Sequence, residues 1–242
     1  MWFLSNKVTV RESGLLEGFC DFHSHLLPGV DDGVEEASET LQILREWEAL
    51  GVSEVWLTPH VMEDIPNEPA ELDRRFKDLQ KLYGGSIRLR LAAEHMMDGP
   101  FMKRLDEGDV LPLGAEGTRL LVETSYYTPP MNMDDIVNRV KSKGYDPILA
   151  HPERYQYMEK NDYRRWKQSG VLLQLNLPSV VGAYGSEVQR KAEWLLKENM
   201  YDYCGSDTHS LEQVELFLDG TISKKMVKKI RSIIYSCQSR MN

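Results

Sequence analysis

The sequence predicts an α/β protein with a mostly parallel sheet or barrel. Seven short apolar runs alternate along the chain with segments in which apolar residues recur at helical spacing. Six of the seven runs are followed at once by a histidine, an aspartate or a glutamate. Because functional side chains gather at the carboxyl ends of parallel strands, we expect these residues to meet at one rim.

The apolar runs are the predicted strands. The runs, each with the polar residues that follow it, are 15–22 with His23 and His25, 52–59 with His60, 87–93 with Glu94, 120–122 with Glu123, 147–150 with His151, 171–175 with Asn176, and 201–206 with Asp207 and His209. Five of the six histidines therefore lie at strand ends, which is the pattern of a metal site assembled from separate strands.

The segments between the strands are the predicted helices. In 39–50, Leu41, Leu44 and Trp47 recur at a spacing of three and share one face. The other predicted helices are 68–82, 99–107, 133–143, 162–169, 185–199 and 221–237. Residues 1–16 are predicted to form an N-terminal arm, and the remainder, 17–242, is long enough for a single domain with one core.

Composition excludes several classes of function. A formal net charge of −9 disfavours nucleic acid as a partner, because phosphate neutralisation needs surplus Lys and Arg. Three cysteines are too few for a disulfide framework, so we expect a reducing compartment and a cytoplasmic protein. The apolar patch of Trp2, Phe3 and Leu4 is too short for the core of a signal peptide. No apolar stretch is long enough to predict membrane insertion.

Two short motifs carry the metal-ligand pattern. In a strand, residues i and i+2 lie on the same side, so His23 and His25 can bind one ion. Asp207 and His209 repeat this spacing with a carboxylate in the first position. Alone, each pair is a weak signal; together they predict metal ligation.

Further acidic residues extend the predicted site. Glu94 and Glu123 each end an apolar strand, where an ionised carboxylate is costly unless it meets a cation. Asp31 and Asp32 precede a glycine and a predicted helix, so one can cap or turn the chain while the other binds metal, and spacing alone leaves the choice open. His95 falls on the opposite side of its strand from Glu94 and is interpreted as structural.

The number of ligand-type side chains predicts more than one ion. Four carboxylates and five histidines are too many for a single metal, whereas two or three divalent ions would leave a positive centre suited to a phosphate group. Manganese, iron and zinc all suit imidazole and carboxylate ligands. Arg154, three residues after His151, can form a fork around two phosphate oxygens; a salt bridge to Glu153 or a neighbouring carboxylate is the alternative. Glu153 is interpreted as a residue that supports the metal ligands and is not itself a ligand.

Other phosphoryl-transfer and hydrolase signatures are missing from the sequence. A cysteine phosphatase loop needs Arg six residues after Cys, but Leu26 follows Cys20 and Ser210 follows Cys204 at that distance, and Cys237 is too near the end. Neither a G-x-x-x-x-G-K loop nor a G-x-S-x-G elbow occurs. The chemistry is therefore expected to depend on metal.

The motifs resemble, in order and spacing, those of the polymerase and histidinol phosphatase superfamily, abbreviated PHP, over about residues 17 to 215. They are Asp21-Phe22-His23-Ser24-His25, Asp31-Asp32-Gly33, Thr58-Pro59-His60, Glu94, Glu123, His151-Pro152-Glu153-Arg154-Tyr155 and Ser206-Asp207-Thr208-His209. Within this superfamily, the long H-S-H-x-L-P-G-x-D-D-G stretch and H-P-E-R-Y resemble the bacterial manganese-dependent tyrosine phosphatases encoded with capsule and exopolysaccharide genes.

The resemblance implies a distorted seven-stranded (β/α) barrel of PHP type, with the metal site at the carboxyl ends of the strands, in a single phosphatase domain over 17–242. It also implies Asp32 rather than Asp31 as a ligand, and Arg154 as the phosphate-binding arginine. The implied ligand sets are His23, His25, Glu94 and Asp207 for a first ion, Glu94, Glu123 and His151 for a second, and Asp32, His60 and His209 for a third. By the same resemblance, Arg154, His151 and Asp207 would be catalytic and the ions manganese.

The implied function is hydrolysis of phosphotyrosine on the tyrosine-rich tail of a bacterial kinase that controls capsular or exopolysaccharide synthesis. Two alternatives stay open: a small-molecule phosphomonoesterase such as histidinol phosphate phosphatase, and a silent scaffold that binds phosphotyrosine or a kinase. Assembly into a homo-oligomer also stays open. After His60 the chain departs from its relatives, which often have basic or polar residues where this chain has Val61-Met62-Glu63-Asp64.

Overall fold

The computed structural model describes residues 6–241, with side chains described as far as Cys237. The apolar patch of Trp2, Phe3 and Leu4 lies outside the described residues. Within the described part, strands and helices alternate as the sequence predicts. The strands are β1 (Lys7–Thr9), β2 (Cys20–Asp21), β3 (Glu54–Leu57), β4 (His60–Val61), β5 (Arg88–Leu91), β6 (Glu94–Met96), β7 (Arg119–Glu123), β8 (Asp146–Leu149), β9 (Leu172–Asn176), β10 (Tyr203–Gly205) and β11 (Thr221–Ser223).

The helices agree closely with the predicted segments. They are α1 (Ala37–Ala49), α2 (Pro69–Leu82), α3 (Gly99–Glu107), α4 (Met133–Ser142), α5 (Lys160–Gln168), α6 (Ser186–Lys197), α7 (Leu211–Asp219) and α8 (Lys224–Met241). Short 3₁₀ helices follow β8, at Pro152–Arg154, and β9, at Leu177–Val181.

Helix α7 has no counterpart among the predicted helices, and the last predicted helix, 221–237, begins three residues before α8 does. Ser210 caps α7, because its hydroxyl accepts a hydrogen bond from the Gln213 amide. Residues Thr221–Ser223, predicted to be helical, form β11 instead and pair antiparallel with Lys7–Thr9. The two paired segments lie more than two hundred residues apart, so no local pattern in the sequence indicates the pairing. The helical pattern of the residues that follow therefore predicted a helix alone.

A curled, wholly parallel sheet forms the frame of the molecule. Its six strands run in the order β10-β9-β8-β7-β6-β4, and a separate parallel sheet has the order β2-β3-β5. Two of the predicted strands are followed by a further short strand: 52–59 contains β3, with β4 beginning at His60, and 87–93 contains β5, with β6 beginning at Glu94. Pro59 explains the first break, because proline has no N–H for the ladder. The chain thus passes from one sheet to the other between β3 and β4 and between β5 and β6. The fold is α/β with a curled parallel sheet.

An edge strand of each sheet, β2 in one and β10 in the other, leads to a contact between the sheets beside the candidate ligands. An isolated parallel bridge joins Ser24 to Thr208, after β2 and β10. Hydrogen bonds from the His25 amide to the Thr208 carbonyl, 2.9 Å, and from the Asp207 amide to the His23 carbonyl, 2.8 Å, surround the bridge. Residues distant in sequence are thereby fixed to one rim.

The helices pack around the sheets and bury large side chains beneath them. Trp47 of α1 and Trp166 of α5 are buried, and the Trp47 ring stacks on Phe19 with centroids 6.3 Å apart. Near the N-terminus, Val10 and Leu15 also join the core, whereas the predicted division at residue 16 stays a prediction. None of the helices in the described part of the chain is long and apolar enough to cross a membrane.

Candidate metal centre

The nine predicted ligands lie together at one rim of the two sheets, where His60 and Glu94 are the first residues of β4 and β6. Eight of their side chains are largely buried, with at most 18% exposed, and only the Asp32 side chain is open, at 66%. The nine are His23, His25, Asp32, His60, Glu94, Glu123, His151, Asp207 and His209. The strand-end pattern in the sequence therefore identified side chains that share one site.

His23 and His25 face the same point. Their Nε2 atoms lie 3.1 Å apart, and both lie close to Glu94 Oε2, at 3.0 and 3.3 Å. The opposite ring nitrogens are engaged elsewhere: His23 Nδ1 lies 2.8 Å from Gln174 Oε1, and His25 Nδ1 lies 2.8 Å from Asp31 Oδ2. Because these partners accept, each Nδ1 carries the proton and each Nε2 is free to bind a cation.

The backbone around the histidine pair is held by buried polar residues. The Ser24 side chain, turned away from the site, donates to the Trp56 carbonyl at 2.9 Å. Asp21 accepts from the amide of Ser206 at 2.8 Å and from its hydroxyl at 2.6 Å. Burial raises the pKa of Asp21 to about 7, against the lowering effect of the hydrogen bonds from Ser206 and His23. This network ties the loop after β10 to the end of β2.

Asp207 shares its two oxygens between the histidines and other groups. Its Oδ1 lies 3.4 Å from Nε2 of both His23 and His25. Its Oδ2 accepts from the Arg154 guanidinium at 2.6 Å and from Asn176 Nδ2 at 2.9 Å. Asp207 has a left-handed backbone, with φ 53°, which is uncommon outside glycine and is found where surrounding contacts over-determine a functional conformation.

Sheet register brings a second group of ligands beside the first. His60 pairs with Glu94 across β4 and β6, and its Nδ1 lies 3.2 Å from Glu94 Oε2 and 3.1 Å from Glu123 Oε1. His151 Nε2 lies 3.0 Å from Glu94 Oε1 and 3.7 Å from Glu123 Oε2. His151 also has a left-handed backbone, with φ 34°, immediately before Pro152. Glu94 thus lies between four buried imidazoles, those of His23, His25, His60 and His151.

A third group is more open to solvent. Asp32 Oδ1 lies 3.4 Å from His60 Nε2 and 3.6 Å from His209 Nε2. Asp31, by contrast, is turned inward: besides His25 Nδ1, its carboxylate accepts from the His60 amide at 3.0 Å. The geometry therefore gives the two neighbouring carboxylates the different roles that spacing alone left open.

The electrostatics of the cluster show how much negative charge is buried there. Burial acts to raise the pKa values of Glu94 and Asp207, but the surrounding imidazoles outweigh it and hold both well below the usual range. Burial acts to lower the pKa of His23, yet Glu94 and Asp207 raise it to about 9. The pKa of His25 likewise rises well above its usual value despite burial, through hydrogen bonds to Asp207 and Asp31. Divalent cations bound among these side chains would balance the buried carboxylate charge.

The donor set fits metal ions of the kind predicted. Ligand atoms form three overlapping groups, within each of which all atoms lie within 4.8 Å of one another: His23, His25, Glu94 and Asp207; His60, Glu94 and Glu123; and His25, Asp32, His60 and His209. Among the residues that the structure describes, His60 Nδ1 and Glu123 Oε1 are buried without a hydrogen bond, although they lie 3.1 Å apart. Two acceptors that face each other are satisfied better by a shared cation than by contact with each other.

Two residues near the predicted ligands face away from them. Glu153 is buried, where it accepts from the Tyr201 hydroxyl at 2.8 Å and the Asn176 amide at 3.0 Å, and burial raises its pKa. His95 accepts from the Leu111 amide at 3.3 Å, and burial lowers its pKa to about 4. Both therefore act in the scaffold. Arg154 forms the salt bridge to a neighbouring carboxylate that was its alternative interpretation, and that carboxylate is Asp207, not Glu153.

Sequence reasoning missed three residues that shape the site. Gln174 orients His23, and its signal was a lone amide in an apolar strand. Tyr184 lies with its ring centroid 4.4 Å from the Arg154 guanidinium, and no pattern in the sequence relates the two. Gly205 packs against His23, and its role depends entirely on the closeness of β10 to β2.

We expect Gly205→Ala to destabilise the site. A methyl group built at Gly205 would lie 2.4 Å from His23 Cβ, so His23 must move. Overpacking of this kind costs about 1–3 kcal/mol, and the displaced imidazole should also bind metal less tightly. Thermal unfolding and ion content after dialysis measure the two effects. Gly84→Ala is the control, because a Cβ there meets nothing within 4 Å; equal effects of both substitutions would contradict the steric argument.

Comparison with known proteins gives one family match over most of the chain. The family described as capsular polysaccharide synthesis, CpsB/CapC, matches residues 19–235. Tyrosine-protein phosphatase YwqE of Bacillus subtilis (strain 168) is 25% identical over 198 residues, which cover 79% of this chain and 78% of that protein. Tyrosine-protein phosphatase CpsB of Streptococcus agalactiae serotype V is 26% identical over 218 residues, which cover 82% of this chain and 86% of that protein.

The fold also has a solved counterpart. A structure from the work on YwqE of Bacillus subtilis and CpsB of Streptococcus pneumoniae, described there as unique metal-dependent tyrosine phosphatases, superposes with a TM-score of 0.75. The match has 21% sequence identity and covers 88% of this chain and 86% of that one. At this identity the likeness establishes the fold.

Proposed function

The chain belongs to the CpsB/CapC family of capsular polysaccharide synthesis, and from that premise we propose that it is a metal-dependent protein tyrosine phosphatase. The relatives that match most of its length carry the names of tyrosine phosphatases. The observation that carries the proposal is the convergence of nine imidazole and carboxylate side chains beside one guanidinium, that of Arg154. This combination provides both cation binding and recognition of a phosphate group.

We assign the ligands to three divalent ions as the resemblance implies. The first set would be His23, His25, Glu94 and Asp207; the second Glu94, Glu123 and His151; and the third Asp32, His60 and His209. The first set is one of the close groups of ligand atoms, and the third set lies within another. The close group that contains Glu94 and Glu123 includes His60; His151 lies 3.0 Å from Glu94 and 3.7 Å from Glu123. Manganese is the proposed metal, since nitrogen and oxygen donors without thiolate suit it, and iron or zinc would fit the same donors.

The chain's own residues would bind and orient the phosphomonoester. When bound, the ions supply Lewis acidity and lower the pKa of a water molecule enough for it to act as a nucleophile at neutral pH. Arg154 would hold the phosphate oxygens with the N–H donors that Asp207 does not use. Asp207 would keep that guanidinium beside the ions, and His151 and Glu94, 3.0 Å apart, would help to hold the ions. Because a phenolate leaves readily, the reaction needs no dedicated acid.

The proposed substrate is the phosphorylated, tyrosine-rich tail of a bacterial polysaccharide-assembly kinase. The family's place in capsular polysaccharide synthesis and the names of the relatives support this assignment. We further propose that the protein acts in the cytoplasm, where such a tail would be accessible. Its net charge of −9 supports a protein partner over nucleic acid.

We also propose that the curled sheet is part of a distorted seven-stranded barrel. Support comes from the continuity of β3 with β4 and of β5 with β6, and from the bridge between Ser24 and Thr208 across the remaining gap. Counted this way, seven strand positions surround the candidate ligands.

Metal reloading tests the proposed function. We expect protein stripped of metal to release no phosphate from a phosphotyrosyl peptide, and protein reloaded with manganese to regain turnover. Histidinol phosphate is assayed in parallel. Preference for histidinol phosphate would contradict the tyrosine phosphatase assignment, and no release from either substrate would favour a binding scaffold.

A further inference from the structure

The guanidinium of Arg154 lies over two tyrosine rings. The guanidinium carbon is 4.4 Å from the centroid of the Tyr126 ring and 4.4 Å from that of the Tyr184 ring. Tyr126 comes from the loop after β7, and Tyr184 comes from the segment before α6, so two separate parts of the chain supply the two rings. The side chain of Arg154 is only 18% exposed, although it borders an open site.

The two rings are themselves fixed. Tyr126 packs on His151, with centroids 5.6 Å apart, and on Tyr155, at 6.1 Å. Tyr184 is partly buried and lies over the guanidinium of Arg154, whose η1 nitrogen donates to Asp207 Oδ2. The rings are therefore connected to the candidate ligands on both sides, and neither is a loose surface side chain.

We propose that Tyr126 and Tyr184 form an aromatic clamp that positions Arg154 for the phosphate group, and this inference rests on the proposed function. An arginine side chain has several rotatable bonds, so an unsupported guanidinium would lose much freedom each time a substrate binds. Over two aromatic rings the plane of the guanidinium is set in advance. Asp207 then fixes the rotation within that plane through its contact with the η1 nitrogen. The remaining N–H donors point at a fixed position before the substrate arrives.

The clamp also keeps water from the flat faces of the guanidinium. A cation over an aromatic face is attracted by the ring quadrupole, and more strongly when both are desolvated. A leucine at either position would retain apolar bulk but not this attraction or the flat surface. A phenylalanine would retain both. The tyrosines are positioning residues, and the clamp requires that most of their effect on catalysis pass through Arg154.

The substitutions Tyr126→Leu and Tyr184→Leu test the clamp. We expect each to lower kcat/KM for a phosphotyrosyl peptide about tenfold and to weaken the binding of inorganic phosphate by a similar factor. Ion content and the unfolding temperature should stay close to those of the unmodified protein. Tyr126→Phe should restore activity to within about twofold, because no hydrogen bond of the Tyr126 hydroxyl is needed for stacking.

A double-mutant cycle separates positioning from general support of the fold. In an Arg154→Ala background, Tyr126→Leu should have almost no further effect on kcat/KM, since its action requires the guanidinium. The control is Tyr235→Leu on α8. The guanidinium carbon of another arginine, Arg231, lies 5.5 Å from the centroid of the Tyr235 ring, and this ring is exposed. That substitution should leave kcat/KM and phosphate binding unchanged.

Three results would overturn the clamp: leucine variants as active as the unmodified protein, failure of Tyr126→Phe to restore activity, or a tenfold loss that persists without Arg154. Each of these requires an active unmodified protein, so each leaves the proposed function standing. If the unmodified, manganese-loaded protein releases no phosphate, the proposed function fails and the clamp fails with it.

Discussion

Glu94→Gln is expected to reduce phosphate release by about 10³-fold or more and to leave fewer ions bound. Glu94 Oε2 lies within 3.3 Å of His23, His25 and His60, and its Oε1 lies 3.0 Å from His151. A neutral amide removes the one charge that all four imidazoles share. Loss of several kcal/mol of electrostatic stabilisation corresponds to at least three powers of ten in rate. Steady-state kinetics and metal analysis after dialysis provide the two measurements.

Glu153→Gln is the matched control for that change. Glu153 is also fully buried, but it accepts hydrogen bonds from Tyr201 and Asn176 and lies outside the ligand groups. Burial already raises the pKa of Glu153, so a neutral amide disturbs its surroundings less. The control should keep its ions and most of its activity. If Glu94→Gln retained the full ion content, the central position assigned to Glu94 would be wrong.

The ligand residues could be predicted because strand ends leave a local signal. A carboxylate or an imidazole directly after an apolar run is costly unless it has a partner, so Glu94, Glu123 and His151 stand out in the sequence. The alternation of side chains along a strand then accounts for His23 and His25 on one side with Ser24 turned away. These are nearest-neighbour effects, which a single sequence contains in full.

The supporting residues could not be predicted in the same way. Gln174 reaches His23 across 151 positions of sequence, and Tyr184 meets Arg154 only because the segment before α6 returns to the rim. Pairing of β1 with β11 likewise depends on the finished fold. Contacts of this kind are set by tertiary structure, which overrides the weaker local propensities. The sequence therefore indicates the candidate ligands more readily than the residues that orient them.

Arg154→Ala is expected to lower kcat/KM by about 10²–10³-fold while the ions stay bound. Removal of one preorganised donor at a site of developing charge typically has an effect of this size. Arg154 is the guanidinium that meets the ligand cluster, 2.6 Å from Asp207, and none of the nine ligand side chains is changed by the substitution. Kinetics on a phosphotyrosyl peptide, with ion content measured on the same samples, separates loss of phosphate binding from loss of metal.

Arg154→Lys decides whether charge alone is sufficient. A lysine would restore the positive charge beside Asp207, but an ammonium has neither the plane that two rings can hold nor the fork that binds two oxygens. We therefore expect Arg154→Lys to regain less than a tenth of the activity. Arg165→Ala is the control, because Arg165 also stacks on an aromatic ring, that of Trp166 at 4.7 Å, yet its side chain is 53% exposed. Full activity of Arg154→Lys would mean that the site needs a cation at this position and not a guanidinium, and the geometry of the two tyrosines would then have no part in phosphate binding.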